Sequence, residues 1–379
     1  MKRTLFYIIC TICMLTIFLP ACGANSSTDN VTTHKKQDTG DLPIEEWTED
    51  NVLACGRDGR IVSYYEKTYD QYLDMCNYYS ENGYEIYTSS EKNGNFFTTM
   101  TQGAQRVHIY WIACEEELNI ITSYKQGALM PPAQPVNGDD QKATTVTPVY
   151  SENMSEMGYV IQLADGSFII YDGGSAANAD KLLGILTELS NGSEIIVRAW
   201  VLTVSLPDHY GCFTQFATEH ADKIKLEYTI SAPVCSPLAI AGKQTYLTND
   251  LEQDVAKFAG AVSCYVHTGM TFYFCNVKLE ILFTPEEIYI CDAPTHKEFH
   301  NTSIVSRIST DNKSIMMLSD SGIHVARRLA IYYGENLSSS FCQMSQNGNS
   351  DFPQYVYNII TAGDSDKLVR TDSSVIVLD

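Results

Sequence analysis

The sequence predicts a mixed α/β protein in two parts, a small module followed by a larger domain. Runs with the two-residue alternation of strands are separated by Gly- and Asn-containing turns, and other segments carry apolar residues at helical spacing. A stretch rich in proline and glycine at residues 127–142 is typical of a linker and divides the chain. The apolar run from Ile195 to Thr203 is continuous enough to predict a strand buried on both faces.

Residues 1–21 have the features of an export signal. Lys2 and Arg3 precede an apolar stretch at residues 4–19, which is short for a membrane-spanning helix. The following residues, 22–50, are polar with few large apolar side chains, and they predict a disordered tether.

The sequence Leu-Pro-Ala-Cys at residues 19–22 resembles the lipobox of bacterial lipoproteins, in which the cysteine receives a diacylglycerol after cleavage. Ala21 supplies the small residue required before Cys22, whereas Pro20 is an unusual neighbour. A two-chain lipid anchors firmly, since each buried methylene contributes about 0.8 kcal/mol. We expect an extracytoplasmic protein anchored to the cell membrane. The alternatives, an uncleaved anchor or a cleaved secretory signal, also place its body outside the cytoplasm.

Residues 51–126 predict the small α/β module. Thr68 or Asp70 is a suitable N-cap for a helix that ends at Asn82 and Gly83. Strands are predicted afterwards at 84–87, 96–101, 107–112 and 118–124. The module has many tyrosines, which favours sheet packing over a tyrosine-lined binding face, and it shows no catalytic cluster.

Residues 143–379 predict the main domain. A hairpin turns at Asp165 and Gly166, a helix starts near Ala179, and a second helix with Phe213 and Phe216 follows the buried run. A further helix follows Asp320. The remaining strands are predicted at 271–274, 277–283, 303–309, 314–318 and 341–344, before a variable tail.

The most informative segment runs from Thr203 to Gly211 and reads Thr-Val-Ser-Leu-Pro-Asp-His-Tyr-Gly. It resembles the metal-binding loop of the metallo-β-lactamase superfamily, T-H-x-H-x-D-H-x-G. Val204 and Leu206 stand where the first two histidines would be, and the later aspartate and histidine remain. The preceding order of hairpin, Asp-Gly-Gly, helix and buried strand is also that of the family.

Three later segments extend the resemblance over roughly residues 145–365. Residues 301–305 are similar to the family's N-x-S-x-V strand, residues 314–320 to its strand ending in G-D-A, and residues 341–348 to its strand ending in H-H-G. The resemblance implies a four-layer αβ/βα sandwich with its metals at one edge.

The departures from the family concern the metal ligands. In the family, the first two loop histidines help to hold one metal, and the aspartate and third histidine hold the second. The late aspartate bridges both metals, and the first histidine of H-H-G completes the second site. Here Val204 and Leu206 have no lone pair, Ser319 replaces a glycine, and Gln346 and Asn347 replace the H-H pair. Amide oxygens are poor zinc ligands beside imidazole.

What remains of the implied metal site is Asp208, His209 and Asp320. One imidazole and two carboxylates can form a three-ligand site for one divalent ion such as Zn, Mn or Fe. Asp208 is then the candidate catalytic residue, because it would orient a metal-bound hydroxide. Asp172, in the Asp-Gly-Gly turn, corresponds to a family residue that supports the metal loop from behind.

The same residues also have structural interpretations, which we favour. Asp208 and Asp320 each precede a predicted helix and can cap it. Asp172 can support a tight turn. His209 can fill space under the loop with a hydrogen bond to Asp172 or Asp320. We therefore expect no bound cofactor, with one divalent metal as the alternative.

The remaining histidines and the cysteines carry little further signal. His296 and His300 have a helical metal-pair spacing but lie in a predicted loop, His267 is expected to be structural, and His220 and His324 lie on predicted helices without partners. Nine cysteines remain after the signal and Cys22 are excluded, an odd number, and most lie in apolar runs. We interpret them mainly as buried free thiols and leave one or two disulfides open.

The net charge of −21 argues against a nucleic-acid partner, because a polyanion would be repelled. The sequence as a whole predicts a lipid-anchored, non-catalytic binding or scaffold protein with an unknown surface ligand or protein partner. The alternative is a hydrolase of phosphoesters or other esters with a single metal. A purely structural surface protein is not separated from the first prediction by sequence.

Overall fold

The computed structural model describes residues 51–55, 59–124, 129, 142–150, 156–232, 251–284 and 300–379. The predicted export signal, Cys22, the tether and most of the stretch 127–142 lie outside the described residues. Within the described part, no helix combines the length and apolar character needed to cross a membrane. All the described residues belong to one compact unit.

The N-terminal part is a six-stranded antiparallel sheet, sheet A, with one helix packed on it. The helix α1 (Tyr69–Glu81) starts with a capping box: Thr68 Oγ1 accepts from the Gln71 backbone N–H, and the Gln71 side chain accepts from the Thr68 N–H. The strands are β1 (Asn51–Cys55), β2 (Gly59–Tyr64), β3 (Glu85–Lys92), β4 (Asn95–Gln102), β5 (Gln105–Ile112) and β6 (Glu117–Tyr124). Their order is β1-β2-β6-β5-β4-β3. The four predicted strands are present, and β1 and β2 add to them.

The main part contains two sheets. Sheet B has the order β12-β11-β10-β9-β8-β7-β19, in which β9 to β12 are parallel and the other pairs antiparallel. Its strands are β7 (Thr145–Pro148), β8 (Gly158–Gln162), β9 (Phe168–Asp172), β10 (Ile196–Val201), β11 (Lys225–Ser231), β12 (Val262–Tyr265) and β19 (Ile376–Val377).

Sheet C has the order β13-β14-β15-β16-β17-β18, antiparallel up to β16 and parallel from there to β18. Its strands are β13 (Thr271–Phe274), β14 (Val277–Phe283), β15 (Val305–Ser309), β16 (Ser314–Met317), β17 (Phe341–Gln343) and β18 (Leu368–Val369). Within the described residues of the main part, the α-helices are α2 (Ala179–Ser190), α3 (Pro207–Glu219), α4 (Leu251–Val255), α5 (Ile323–Tyr333) and α6 (Gln354–Thr361).

Three apolar clusters define the layers. One lies between sheets B and C, and a second lies between sheet B and helices α2, α3 and α4. The third lies between sheet C and helices α5 and α6. Helices therefore cover the outer face of each sheet. The four-layer αβ/βα sandwich that the resemblance implies is confirmed by this arrangement.

Two elements differ from the sequence prediction. Helix α3 begins inside the segment from Thr203 to Gly211. Leu206 is its N-cap, and the fixed φ of Pro207 in the first turn favours the helix. The sequence assigned no helix or strand to the variable tail after residue 344, but this segment forms α6, β18 and β19, and Ile376 of β19 pairs with Val146 of β7. A strand of two residues leaves no detectable alternation in the sequence, so β18 and β19 were not predicted.

Sheet A and the sandwich share a buried interface. Phe97 of β4 packs over Gly269, where the φ of +89° suits glycine and an added Cβ would lie 2.1 Å from the Phe97 ring. The side-chain amides of Asn93 and Asn95 both donate to the Tyr332 carbonyl oxygen at 2.8 Å. The third apolar cluster also includes sheet A residues, namely Ile61, Phe97, Tyr110, Ile112 and Ile121. The two predicted parts are thus packed as one body.

Six cysteines within the described ranges are free thiols. Cys212, Cys264 and Cys342 are buried, Cys114 is exposed, and Cys76 and Cys275 are half-buried. Cys55, Cys235 and Cys291 are among the side chains that the structure does not describe. For the six, the interpretation as free thiols agrees with the structure, although only three are buried.

Candidate functional site

The candidate site lies where several chain segments of the sandwich end side by side. Asp172 is the last residue of β9, and Thr203 follows β10 by two residues. His209 is in the first turn of α3, and Asp320 follows β16. The structure therefore brings together three of the four protein residues that the sequence singled out.

His209 is held between two carboxylates. Its Nδ1 lies 2.9 Å from Asp172 Oδ2, and its Nε2 lies 3.0 Å from Asp320 Oδ1. The side chains of His209 and Asp172 are 0% exposed and that of Asp320 is 2% exposed. The second contact is an ion pair without good hydrogen-bond alignment, since neither Nε2 nor Oδ1 has an aligned hydrogen-bond partner.

Asp172 fixes the loop that follows β10. Its carboxylate accepts from the Thr203 backbone N–H at 2.7 Å and from the Thr203 hydroxyl at 2.6 Å. Its own carbonyl oxygen accepts from the Trp200 indole N–H at 2.6 Å. The Thr203 hydroxyl also lies 2.6 Å from Ser319 Oγ. Asp172 thus positions the loop and the His209 ring together.

His300 is a member of the site that sequence reasoning missed. Its Nδ1 lies 2.9 Å from Asp320 Oδ2. The side-chain nitrogen of Gln346, the residue in place of a family histidine, lies 2.7 Å from His300 Nδ1 and 3.0 Å from Nε2. The sequence signal that could have identified His300 is its position directly before residues 301–305, which resemble the family's N-x-S-x-V strand. We call Asp172, His209, Asp320 and His300 the acid–imidazole chain.

The charges within the acid–imidazole chain favour a protonated His209. Burial alone would lower the pKa of His209, but the carboxylates of Asp320 and Asp172 outweigh it and raise that pKa well above its usual value. Burial alone would raise the pKa of Asp320, but His209 and His300 hold it well below its usual range. A buried imidazolium therefore compensates the two buried carboxylates.

The residues do not fit the dinuclear zinc centre of the family. Val204 and Leu206 are 1% and 2% exposed and belong to the apolar cluster between sheet B and its helices. Asn347 serves the backbone: its amide nitrogen donates to the Glu156 carbonyl oxygen at 3.1 Å, and its oxygen accepts from the Thr371 N–H at 3.0 Å. These side chains fill the ligand positions with packing and backbone contacts.

The three residues of the implied single-metal site are also not placed to share one ion. Asp208 is half-buried, and the ligand atoms of Asp208, His209 and Asp320 do not all lie within 4.8 Å of one another. A protonated imidazole has no lone pair for a metal, so binding would require His209 to lose a proton that two carboxylates stabilise.

Asp208 and Asp320 do not cap the helices that follow them. Helix α3 has Leu206 at its N-cap and helix α5 has Gly322, and neither cap makes a side-chain hydrogen bond. Asp208 lies instead within the first turn of α3, where a negative charge interacts favourably with the helix dipole. Asp320 is held by the two histidines.

Among the described residues, one group of at least three potential metal ligands does come together, elsewhere on the surface. It consists of Asp180, Glu219 and His220, with Asp180 87% exposed. His220 Nε2 lies 2.8 Å from Asp180 Oδ1, so the expectation that His220 lacks a partner was wrong. His296 lies outside the described residues, which leaves the predicted spacing with His300 without a structural counterpart.

Four of the ten described non-glycine residues with positive φ lie around the site. Asp172, Ser319, Gln346 and Asn347 have φ values of 50°, 54°, 47° and 51°, in the left-handed region that favours glycine. Such conformations persist where the surrounding contacts over-determine them. Here those contacts are the hydrogen bonds of the site itself.

Comparison with known proteins gives similarities in fold only. No known family model matches the chain, and no curated protein sequence matches it. Similar solved structures include the metallo-β-lactamase fold protein YhfI from Bacillus subtilis, with 14% identity, 53% of this chain, 70% of that chain and a TM-score of 0.35. A metallo-β-lactamase from Hirschia baltica has 10% identity, 68% and 88% coverage and a TM-score of 0.28.

A protein of unknown function from Enterococcus faecalis is similar at 14% identity over 54% of this chain and 50% of that chain, with a TM-score of 0.32. The chain thus spans about half the length of that protein. Similarities of this strength carry no information about activity, ligands or partners.

Proposed function

We propose that the chain is a non-catalytic binding or scaffold protein in which the acid–imidazole chain maintains the fold at the edge where the family holds its metals. The observation that supports this most directly is the position of His209. Both of its ring nitrogens lie within 3.0 Å of a buried carboxylate. An imidazole used in this way links β9, α3 and the segment after β16 and is not available to a substrate.

The proposal includes location. The export signal and Cys22 support a protein anchored to the cell membrane by lipid, with its folded part outside the cytoplasm and its ligand or protein partner on the cell surface. We expect the Cys22→Ser variant to lose membrane association, measured by the partition of the expressed protein between membrane and soluble fractions. Unchanged partition would contradict lipidation at this residue.

The alternative is a hydrolase of phosphoesters or other esters with one metal. The observation in its favour is the unaligned contact of His209 Nε2 with Asp320 Oδ1, which leaves two buried polar atoms facing each other without a hydrogen bond. In that case Asp208 would be the third ligand and the candidate catalytic residue. Its carboxylate would have to move towards His209 and Asp320.

Metal analysis of protein purified without chelators separates the two proposals. We expect well below one ion per chain and no change in thermal stability on addition of a chelator. About one tightly bound ion per chain, together with chelator-sensitive hydrolysis of a chromogenic phosphoester, would support the hydrolase instead.

A triple variant that replaces Val204, Leu206 and Gln346 by histidine restores the family's metal ligands. Because zinc prefers imidazole to amide oxygen, we expect this triple variant to bind zinc where the natural chain does not. Failure of a folded triple variant to bind zinc would indicate that the correspondence between this loop and the family loop is incorrect.

A further inference from the structure

His108 lies on the face of β5 that meets the sandwich. Side chains alternate along a strand, so Arg106, His108 and Tyr110 share one face. On the other face, Trp111 packs against Tyr69 of α1, with ring centroids 5.8 Å apart. His108 is 1% exposed, which makes it a buried ionisable group at the interface between sheet A and the sandwich.

The His108 ring contacts both sides of this interface. Its Nε2 lies 2.8 Å from the Thr268 carbonyl oxygen, so Nε2 carries the proton. Its Nδ1 lies 2.8 Å from Thr99 Oγ1 and accepts the hydroxyl proton. The ring stacks on that of His267, with centroids 5.0 Å apart and an interplanar angle of 17°. Each of these contacts suits a neutral imidazole.

The surroundings of the ring oppose a positive charge. Burial lowers the pKa of His108 well below its usual value, and His267 and Arg106 lower it further, while the Thr268 carbonyl acts in the opposite direction. Among the described residues, none that is resolved to act on the ring is a carboxylate. The neighbours on the strands and loop around it are Thr99, Arg106, Tyr110, Ile121, His267 and Thr268.

We propose that the stacked pair of His108 and His267 is an acid-sensitive latch between sheet A and the sandwich. A second proton on His108 removes the acceptor for the Thr99 hydroxyl and places a buried positive charge next to Arg106 and His267. Separation of the two faces hydrates that charge. Proton uptake by His108 in mild acid therefore shifts the protein towards a form in which sheet A is loosened from the sandwich.

The size of the effect follows from linkage. The closed form keeps His108 neutral, whereas a hydrated histidine titrates near pH 6.5. Below about pH 6.5 the open form therefore holds one proton more than the closed form, and the opening equilibrium constant rises about tenfold for each unit of decreasing pH. Above that pH the opening is independent of pH.

The test is hydrogen exchange on the full chain between pH 8 and pH 5, expressed as protection factors so that the intrinsic pH dependence is removed. We expect peptides from β4, β5 and the segment 266–270 to lose protection about tenfold per unit below pH 6.5, while peptides from β8 and β9 keep theirs. Equal pH dependence in both groups, or none in the interface peptides, would overturn the proposal.

Two variants assign the effect to this ring. His108→Gln keeps a donor for the Thr268 carbonyl oxygen but does not titrate, and we expect it to abolish the tenfold dependence. His324→Gln, at an exposed position on α5, is the matched control and should keep it. A folded His108→Gln variant with the natural pH dependence would refute the latch. If that variant does not fold, the comparison of interface and β8–β9 peptides in the natural protein still decides.

Discussion

Replacement of His209 by alanine is expected to destabilise the folded protein by about 3–5 kcal/mol, the cost typical of removing one partner from a buried ion pair. The variant leaves the carboxylates of Asp172 and Asp320 buried without the cation between them. Urea unfolding at pH 7, followed by fluorescence and circular dichroism, measures the loss. A loss below about 1 kcal/mol would contradict the structural function proposed for the ring.

The controls for His209 separate charge from packing. His324→Ala removes an exposed histidine from α5 and is expected to change stability by no more than about 0.5 kcal/mol. Changing Asp172 and Asp320 to asparagine in the His209→Ala background removes the uncompensated charges. We expect part of the lost stability to return, because the remaining deficit is then that of a cavity and unmade hydrogen bonds.

The Glu280→Gln variant is expected to lose about 2–3 kcal/mol of unfolding free energy at pH 7. Glu280 lies at the interface of sheet A and the sandwich, 2.5 Å from Lys92 Nζ and 3.0 Å from Arg307. Burial alone would raise the pKa of Glu280, but Lys92 and Arg307 outweigh it and lower the pKa to about 2. Because burial also lowers the pKa of Lys92, the net stabilisation is smaller than the Glu280 shift alone implies.

The sign of the pH dependence follows from the depressed pKa. A carboxyl that titrates near 4.5 when unfolded and near 2 when folded stabilises the protein above about pH 4.5, and this stabilisation is lost as the pH falls towards 2. Glu280→Gln should therefore flatten the unfolding free energy between pH 4.5 and pH 2.5. Glu335→Gln, at an exposed residue that lines the same surface pocket as Glu280, is the control expected to keep the slope. An unchanged slope in Glu280→Gln would contradict this assignment.

The parts of the fold that were predictable carry local signals. The turn at Asp165 and Gly166 and the N-cap at Thr68 are each determined by a few adjacent residues. Strand β19 is different, since its two residues become a strand by pairing with Thr145 and Val146, which lie more than 200 positions earlier. A pairing at that separation is decided by packing, not by local pattern.

The same contrast holds for the site. Asp172, His209 and Asp320 stand in recognisable motifs, and the structure places them in contact. His300 was noted only for its spacing from His296 in a predicted loop, and its contact with Asp320 depends on the path of the chain between them. Asp208 is in the motif yet does not join the cluster, because motif membership does not determine which carboxylate the imidazole approaches.

The shared core of sheet A and the sandwich has a consequence for handling the protein. A cut within the proline-rich stretch at residues 127–142 would follow the composition of the chain but would separate Phe97 and Tyr110 from the apolar cluster that buries them. Each fragment would then present a large apolar patch to solvent, and patches of that kind promote aggregation. A fragment for expression, crystallisation or partner screening should therefore contain both sheet A and the sandwich.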